Sequence, residues 1–277
     1  MKSFITSDDL NLAYDDAGDG IPVLCLAGLT RNSADFDDFA SVCGDNIRLI
    51  RMDYRGRGRS DYDPNYVNYS IPVEARDAVE LLDYLDIDKA VIVGTSRGGL
   101  ISMILAATVK KRLAGVLLND IGPVVEADGI AGIMTHLGRH PDFKTYGEAA
   151  RMLPIMNAPV FGDVPDGRWL EFAKRIWVET PRGLNIRYDP NLRKAVQEAS
   201  LQPTPDLWPI FDALSDVPLA LVRGANSNIL SFGTASEMNR RIPDMIWKEV
   251  PDRGHVPFLD EPECQAAFRE LMDMVAI

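Results

Sequence analysis

The feature that most constrains this chain is the pentapeptide Gly94-Thr95-Ser96-Arg97-Gly98, which lies between an apolar run and a stretch that favours a helix. The run at 90–93 is AVIV, and the stretch at 100–107 is LISMILAA. In a strand–turn–helix of this kind, the flanking glycines allow so sharp a turn that the central serine projects from the edge of a sheet. The pattern therefore predicts that Ser96 is a covalent nucleophile. The alternative is a serine in an ordinary solvated turn.

Strand-like and helix-like segments alternate along most of the chain. Buried strands are predicted by the apolar runs at 21–26, 47–52, 90–93, 113–118, 217–222 and 245–250. A helix is predicted after Ser70, because one helical face would carry Ala75, Ala78, Val79, Leu82 and Leu85. The segment 261–276 is amphipathic in the same way. The fold class is therefore predicted as α/β, with a mostly parallel sheet and helices on both faces.

The pattern changes between residues 123 and 205, a segment called the insertion below. Its helix-like pieces are polar and interrupted by proline, and it carries no strong buried-strand run. We expect a core made of 1–122 and 206–277, with the insertion forming a helical cap that closes a largely apolar pocket over Ser96. The residues expected either to line that pocket or to form the core of the cap are Met152, Leu153, Ile155, Met156, Phe161, Trp169, Phe172 and Trp177.

Loops that leave the carboxyl ends of parallel strands meet at one edge of the sheet, so residues far apart in sequence can gather around Ser96. A serine hydroxyl needs a neighbouring base to become a nucleophile. His255 is the only histidine in such a loop, and we predict it as the general base. His136 and His140 fall in the insertion, where they are either surface residues or substrate contacts.

Attack on a carbonyl creates an oxyanion, which needs preorganised donors. We expect these donors to be the backbone N–H groups of Arg97, directly after the nucleophile, and of Leu29, after the Gly28 turn. The Arg97 side chain is expected to pair with a carboxylate rather than with an anionic substrate. Structural ion pairs are also predicted for the arginines of 53–60 (DYRGRGRS), because the chain is acidic and has no phosphate-binding GxxxxGK(S/T) loop.

Together these motifs resemble the α/β-hydrolase superfamily, and in particular its small capped serine esterase and lactonase branch, over essentially the whole chain. The loop at 53–60 resembles the branch's DxRGxGxS loop, and Gly254-His255 followed by Pro257 and Glu261-Pro262 resembles its terminal histidine region. The resemblance implies a triad in the chain order Ser, acid, His, and hydrolysis of a small carboxylic ester or lactone through an acyl-enzyme on Ser96. It implies no cofactor.

Two positions depart from the family pattern. Ala27-Gly28 stands where the branch usually has His-Gly, which leaves the amide of Leu29 available as a donor. Asn228 stands where a GxxxD pattern places the acid that orients the histidine. Three explanations are open for Asn228. It is an engineered substitution, it is the natural residue of a weakened triad, or another carboxylate orients the histidine in its place. Asp120, at the end of its own strand, is the best substitute; otherwise it caps the entry to the insertion or bonds nearby backbone.

Other activities fit the same motifs. Hydrolases that cleave a C–C bond, of the meta-cleavage type, and thioesterases can use the same triad. Dehalogenases and epoxide hydrolases are disfavoured, because those superfamily members carry an aspartate nucleophile where this chain has Ser96. A ligand-binding receptor or scaffold with a weakened triad is the non-enzymatic alternative; Asn228 favours it, whereas Ser96 and His255 argue against it.

The composition limits partners and compartment. A net charge of -12 and a pI near 4.7 argue against nucleic acid and anionic membranes, which require clustered Lys and Arg. Cys25, Cys43 and Cys264 have no CxxC spacing, and the histidines have no metal-ligand pattern, so neither disulfides nor a metal site are expected. Without an apolar leader or a membrane-length run, we expect a cytoplasmic monomer or homodimer that acts on a small molecule.

Overall fold

A computed structural model describes residues 2–165, 167–203 and 205–275. Within these ranges the strands are β1 (Lys2–Ile5), β2 (Asn11–Ala17), β3 (Ile21–Leu26), β4 (Ile47–Met52), β5 (Ala90–Thr95), β6 (Leu113–Asn119), β7 (Trp177–Thr180), β8 (Gly183–Ile186), β9 (Leu219–Gly224) and β10 (Ile246–Val250). The α-helices are α1 (Asp37–Val42), α2 (Ile71–Tyr84), α3 (Arg97–Val109), α4 (Ala127–His136), α5 (Tyr146–Asn157), α6 (Arg168–Ile176), α7 (Leu192–Ser200), α8 (Trp208–Asp212), α9 (Phe232–Arg241) and α10 (Pro262–Val275).

Eight of these strands form one sheet in the order β1-β2-β4-β3-β5-β6-β9-β10. The pairs β1–β2 and β2–β4 are antiparallel, and the pairs from β4–β3 to β9–β10 are parallel. Every residue of β5 is buried, as expected for a central strand that is covered on both faces. The carboxyl ends of the parallel strands lie at the same edge, so the loops that follow them converge there. This mostly parallel α/β sheet confirms the predicted fold class.

The helices that flank the site begin where the sequence predicts. Ser70 has the extended backbone of an N-cap, and α2 follows with a proline in its first turn. Its buried face includes Ala75, Ala78 and Leu82, which recur at helical spacing. In α10 the buried residues are Cys264, Ala267, Phe268 and Leu271. These faces pack into the main apolar core around the sheet. None of the described helices is both long enough and apolar enough to cross a lipid bilayer.

Two pairs of strands differ from the expectation. β1 and β2 form the antiparallel edge of the sheet, and β1 buries only Phe4. A half-exposed edge strand shows no continuous apolar run, and for that reason the sequence pattern missed it. In the insertion, β7 and β8 pair as a short antiparallel hairpin between α6 and α7. The insertion predicted to be helical therefore also contains a hairpin at 177–186, where four-residue strands are too short to show a pattern.

The insertion also buries apolar side chains in two clusters apart from the main core. One cluster joins Leu137, Ile186, Tyr188 and Leu192 to Tyr69 of the core. The other lies within the insertion and consists of Ala149, Leu153, Trp169, Ala173 and Leu184. The insertion therefore has buried apolar clusters of its own besides the main core around the sheet.

Candidate active site

Ser96 occupies a strained turn between β5 and α3. Its backbone has φ 51° and ψ −111°, a region that L-residues rarely adopt. The turn is so tight that a Cβ at Gly98 would lie 2.0 Å from the carbonyl oxygen of Leu26. A Cβ at Gly94 would lie 2.6 Å from the carbonyl oxygen of Gly98. Both flanking glycines are therefore required by close backbone approach, and the turn presents Ser96 at the carboxyl edge of the sheet.

A chain of two hydrogen bonds joins Ser96, His255 and Asp120. His255 Nε2 lies 2.9 Å from Ser96 Oγ, and His255 Nδ1 lies 2.7 Å from Asp120 Oδ2. An ionised carboxylate can only accept, so Nδ1 carries the proton and Nε2 is left to accept from the serine hydroxyl. This arrangement of nucleophile, base and orienting acid is the one that serine acyl transfer requires.

Asp120 is buried directly after β6 and is fixed by three donors. Besides His255 Nδ1, the backbone N–H of Gly224 donates to Oδ1 at 2.9 Å, and the hydroxyl of Ser227 donates to Oδ2 at 2.6 Å. Its side chain is 0% exposed, and its φ of 57° turns the chain sharply at the end of the strand. The two neighbouring donors belong to the β9 end and its loop, so β6 and β9 together hold the carboxylate.

Asn228 does not contact the imidazole of His255 through a hydrogen bond in the described part of the chain, although both residues line the same cavity. The family pattern places the orienting acid at residue 228, whereas in the structure the carboxylate that contacts His255 is that of Asp120. Ser227, one residue earlier, donates to Asp120 instead. The physical reason is that β6 lies beside both β5 and β9, which brings a carboxylate at its end within reach of His255.

The backbone N–H groups of Leu29 and Arg97 border the nucleophile. A Cβ at Gly28 would lie 3.9 Å from the Cβ of Ser96, so the turn before Leu29 is next to the serine. Arg97 is the first residue of α3, where backbone N–H groups have no partner within the helix. Neither N–H donates to another atom of the residues that the structure describes. Within the described residues, both N–H groups are therefore available to donate to a bound group.

A cavity of about 460 Å³ opens over Ser96 and His255. Core loops supply part of its wall, including Leu29, Asn119 and Phe258. The insertion supplies the rest, with lining residues Gly129, Ile133, His136, Phe161, Trp169 and Phe172. The volume is that of a pocket for a small molecule.

Four of the residues expected to line the pocket or form the core of the cap do not line the cavity: three are exposed, and the fourth packs inside the insertion, the other role expected for it. Met152, Ile155 and Met156 are exposed on the outer face of α5, because the inner face of that helix is taken by Ala149 and Leu153. Trp177 packs within the apolar clusters of the insertion, with its ring centroid 5.5 Å from that of Phe143. Trp169 lines the cavity as predicted, and so do Phe161 and Phe172.

Besides His255, the charged or titratable residues of the cavity wall carried little or no signal in the sequence; they are Arg31, Asp35, His136 and Arg175. Arg31 donates from Nη2 to Asp35 Oδ1 at 2.7 Å, and its guanidinium lies 4.4 Å from the ring centroid of Phe172. His136 has an accessible side chain on the wall, and partial desolvation lowers the pKa of its imidazole. His140 is exposed and lies outside the lining. Because His136 lies on a helix and does not follow a strand, the sequence pattern could not show whether it lines the cavity or lies on the outer surface.

The arginines near the site are ion-paired, as the sequence predicts. Arg97 donates to Glu74 at 2.5 Å, and Arg55 donates to Asp77 at 2.7 Å. Arg59 donates to Asp53 at 2.9 Å. In the described ranges no three His, Cys, Asp or Glu side chains are grouped as metal ligands, and the cysteines are free thiols.

A family model described as the alpha/beta hydrolase family matches residues 23–266. The chain belongs to this family. Among curated proteins, it is 36% identical over 263 residues to the 3-hydroxybutyrate-oligomer hydrolase of Cupriavidus necator, covering 91% of this chain and 89% of that protein.

Solved structures agree with this assignment. An alpha/beta hydrolase from Novosphingobium aromaticivorans superposes with a TM-score of 0.92 at 38% identity, covering 99% of this chain and 97% of that one. A putative hydrolase from Rickettsia typhi has a TM-score of 0.84 at 25% identity, covering 96% and 92% of the two chains. The α/β-hydrolase fold is therefore established for the chain, and its relatives support a hydrolase activity.

Proposed function

We propose that this α/β-hydrolase cleaves a small carboxylic ester through an acyl-enzyme on Ser96. The observation that carries the proposal is the continuous hydrogen-bond chain from Asp120 through His255 to the Ser96 hydroxyl. The strained turn at Ser96 supports it, because the nucleophile elbow of the family has the same form. The chain order Ser, Asp, His also fits the family.

The proposed reaction has two halves. His255 Nε2 takes the proton of the Ser96 hydroxyl while Oγ bonds to the ester carbonyl carbon, and Asp120 stabilises the resulting imidazolium. The N–H groups of Leu29 and Arg97 bind the oxyanion. Collapse of this intermediate breaks the bond to the alcohol oxygen, which receives the proton from His255. Water then attacks the acyl-enzyme with His255 as base, which releases the carboxylic acid and regenerates Ser96.

We infer that the insertion, 123–205, acts as a cap on a core formed by 1–122 and 206–277. The reacting groups all come from that core, whereas α4 and α6 contribute wall residues such as Ile133 and Trp169. This division supports a role for the insertion in selecting the substrate rather than in the chemistry.

For the substrate we infer a short ester of a hydroxy acid that ends in a free carboxylate. The name of the 36% identical relative, 3-hydroxybutyrate-oligomer hydrolase, supports this class, since such an oligomer is a chain of esters with a carboxylate end. The small cavity and the guanidinium of Arg31 on its wall also support it. A small lactone would present the same carbonyl to Ser96.

The receptor or scaffold alternative depended on Asn228, which suggested a triad without an acid. Because Asp120 contacts His255 at 2.7 Å, a damaged triad is no longer needed to explain that residue. We therefore propose no second function.

The proposal is tested with purified protein, p-nitrophenyl acetate and the linear dimer and trimer of 3-hydroxybutyrate. We expect turnover of all three, and we expect Ser96→Ala and His255→Ala to abolish it without unfolding the protein, because neither side chain is part of the apolar core. Circular dichroism of each variant is the control for folding. Turnover by Ser96→Ala near the parent rate would remove Ser96 from the mechanism.

A further inference from the structure

The two proposed oxyanion donors belong to different loops, and a buried chain of charged side chains connects those loops. At one end, Arg57 Nε donates to the carbonyl oxygen of Leu29 at 3.0 Å. Arg57 Nη1 then lies 2.8 Å from Glu74 Oε1, an ion-pair contact. At the other end, Arg97 Nε donates to Glu74 Oε2 at 2.5 Å. The connection therefore runs from Leu29 through Arg57 and Glu74 to Arg97.

This connection is almost completely shielded from solvent. The side chains of Arg57 and Glu74 are 0% exposed, and that of Arg97 is 11% exposed. Two backbone carbonyls fix it further: Arg57 Nη1 donates to the carbonyl of Arg55 at 2.7 Å, and Arg97 Nη2 donates to that of Tyr69 at 3.0 Å. Two guanidiniums share one carboxylate, so the cluster holds one net positive charge. Burying such a charge costs free energy, and apolar side chains of similar volume would stabilise the fold at least equally well. Stability alone therefore does not explain the cluster.

The ends of the connection are the residues that matter for the oxyanion. The carbonyl held by Arg57 belongs to Leu29, whose own N–H is the proposed donor, so holding that carbonyl limits the rotation of the donor residue. The Arg97 side chain is anchored on Glu74, while the Arg97 N–H is the second donor. The Glu74 carboxylate thus contacts both arginines, one of which holds the Leu29 carbonyl and the other of which is Arg97 itself.

We propose that Arg57 and Glu74 are positioning residues that fix the Leu29 and Arg97 donors relative to each other. This proposal rests on the proposed function, because it assigns these residues a role in acyl transfer at Ser96. Preorganised donors act on charge that develops in the transition state. Disturbing them should therefore lower kcat while leaving KM nearly unchanged.

The same loop offers a matched control in Arg55. Its side chain is equally buried, and it pairs with Asp8, Asp63 and Asp77. In the described part of the chain, the Arg55 side chain does not contact Leu29 or Arg97 through a hydrogen bond or ion pair. The substitution Arg55→Lys therefore disturbs a buried ion-pair network of similar kind, and it keeps the main-chain carbonyl of residue 55 that accepts from Arg57.

The experiment compares Arg57→Lys, Arg97→Gln and Arg55→Lys with the parent protein. Steady-state kinetics on p-nitrophenyl acetate, the midpoint of thermal unfolding, and the rate of Ser96 labelling by a fluorophosphonate are measured for each. We expect Arg57→Lys and Arg97→Gln to lower kcat about 10- to 100-fold with KM changed less than about threefold. We expect Arg55→Lys to lower the unfolding midpoint as much as Arg57→Lys, with kcat within about threefold of the parent.

Equal losses of kcat in Arg57→Lys and Arg55→Lys would overturn the positioning role, and so would parent-like kcat in both Arg57→Lys and Arg97→Gln. If Arg57→Lys does not fold, Arg97→Gln decides the question, because its side chain is partly exposed and reaches Glu74 from the other end. A parent protein that neither turns over the ester nor reacts with the fluorophosphonate would refute the proposed function and this role with it. Parent labelling with no difference between the variants would refute this role alone.

Discussion

Three donors converge on the Asp120 carboxylate: His255 Nδ1, the Ser227 hydroxyl and the Gly224 N–H. An asparagine at position 120 would have no charge to stabilise the imidazolium, and its NH₂ group would oppose the donor Nδ1. We expect Asp120→Asn to lower kcat by about 10⁴-fold, as the equivalent change does in a serine protease, with little effect on KM. Steady-state ester hydrolysis measures this change, and parent-like kcat would contradict the assigned role.

Asn228→Asp is the matched change at the position where the family pattern places the acid. Asp120 already accepts from His255 Nδ1, so a second carboxylate nearby would repel Asp120 without giving the imidazole a new partner. We expect kcat to stay unchanged or to fall. An increase by orders of magnitude in the same hydrolysis assay would return the orienting role to position 228.

Arg31 is the residue-scale test of the proposed substrate class. Its guanidinium lies on the cavity wall, and its Nε and Nη2 donate to Asp35. We expect Arg31→Gln to raise KM about tenfold or more for the 3-hydroxybutyrate dimer, because the charged hydrogen bond from Arg31 to the carboxylate of the substrate is lost. The methyl ester of that dimer is the matched substrate, and its KM should change little. Equal effects on the acid and the methyl ester would show that Arg31 does not bind the carboxylate.

At the scale of elements, α6 is attached to the core by ion pairs near the cavity. Arg168 and Arg175 both pair with Asp38 of α1, and Arg168 also pairs with Asp260. Trp169, on the same helix, lines the cavity. These partly buried pairs connect the helix that carries Trp169 to Asp38 of α1 and to Asp260.

We expect Asp38→Asn to loosen this wall, because two arginines lose their shared carboxylate. KM for short acyl esters should rise a few-fold, and the preference for short over long acyl chains should fall, while kcat for p-nitrophenyl acetate changes little. A series of p-nitrophenyl esters of increasing acyl length measures this preference. Asp37→Asn is the control, because Asp37 pairs chiefly with Arg51 of the sheet at 2.5 Å. Unchanged selectivity in Asp38→Asn would show that these ion pairs do not hold the wall.

The strands that the sequence predicts are those with an apolar run, and the helices that it predicts are those with apolar residues at helical spacing. β3 and β4 match their predicted bounds, and β5 extends the predicted run by the two residues that lead into the Ser96 turn. The edge strand β1 and its neighbour β2 were missed because neither carries a continuous apolar run. The hairpin β7–β8 was missed because its pairing depends on the local turn more than on apolar periodicity.

At the scale of the whole molecule, the site is made of residues that are distant in sequence. His255 is 159 positions from Ser96 and 135 positions from Asp120. The sequence predicts that these residues meet, because parallel strands bring their loops to one edge. It does not predict which acid reaches the imidazole, since this depends on strand order and on the positive φ of Asp120. The residues of the cavity wall were predicted less well. Met152 and Ile155 face solvent because other residues of the insertion occupy the inner side of their helix, and the sequence pattern does not show this packing.

Covalent labelling at Ser96 tests the central claim most directly. The intact protein is treated with a fluorophosphonate, digested, and mapped by mass spectrometry, with Ser96→Ala and His255→Ala treated in parallel. We predict one stoichiometric adduct on the peptide that contains Ser96, no adduct in Ser96→Ala, and strongly slowed labelling in His255→Ala, because the base is missing. An unlabelled Ser96 in folded, ester-hydrolysing protein would contradict the account, as would an adduct on another residue that accounts for the loss of activity.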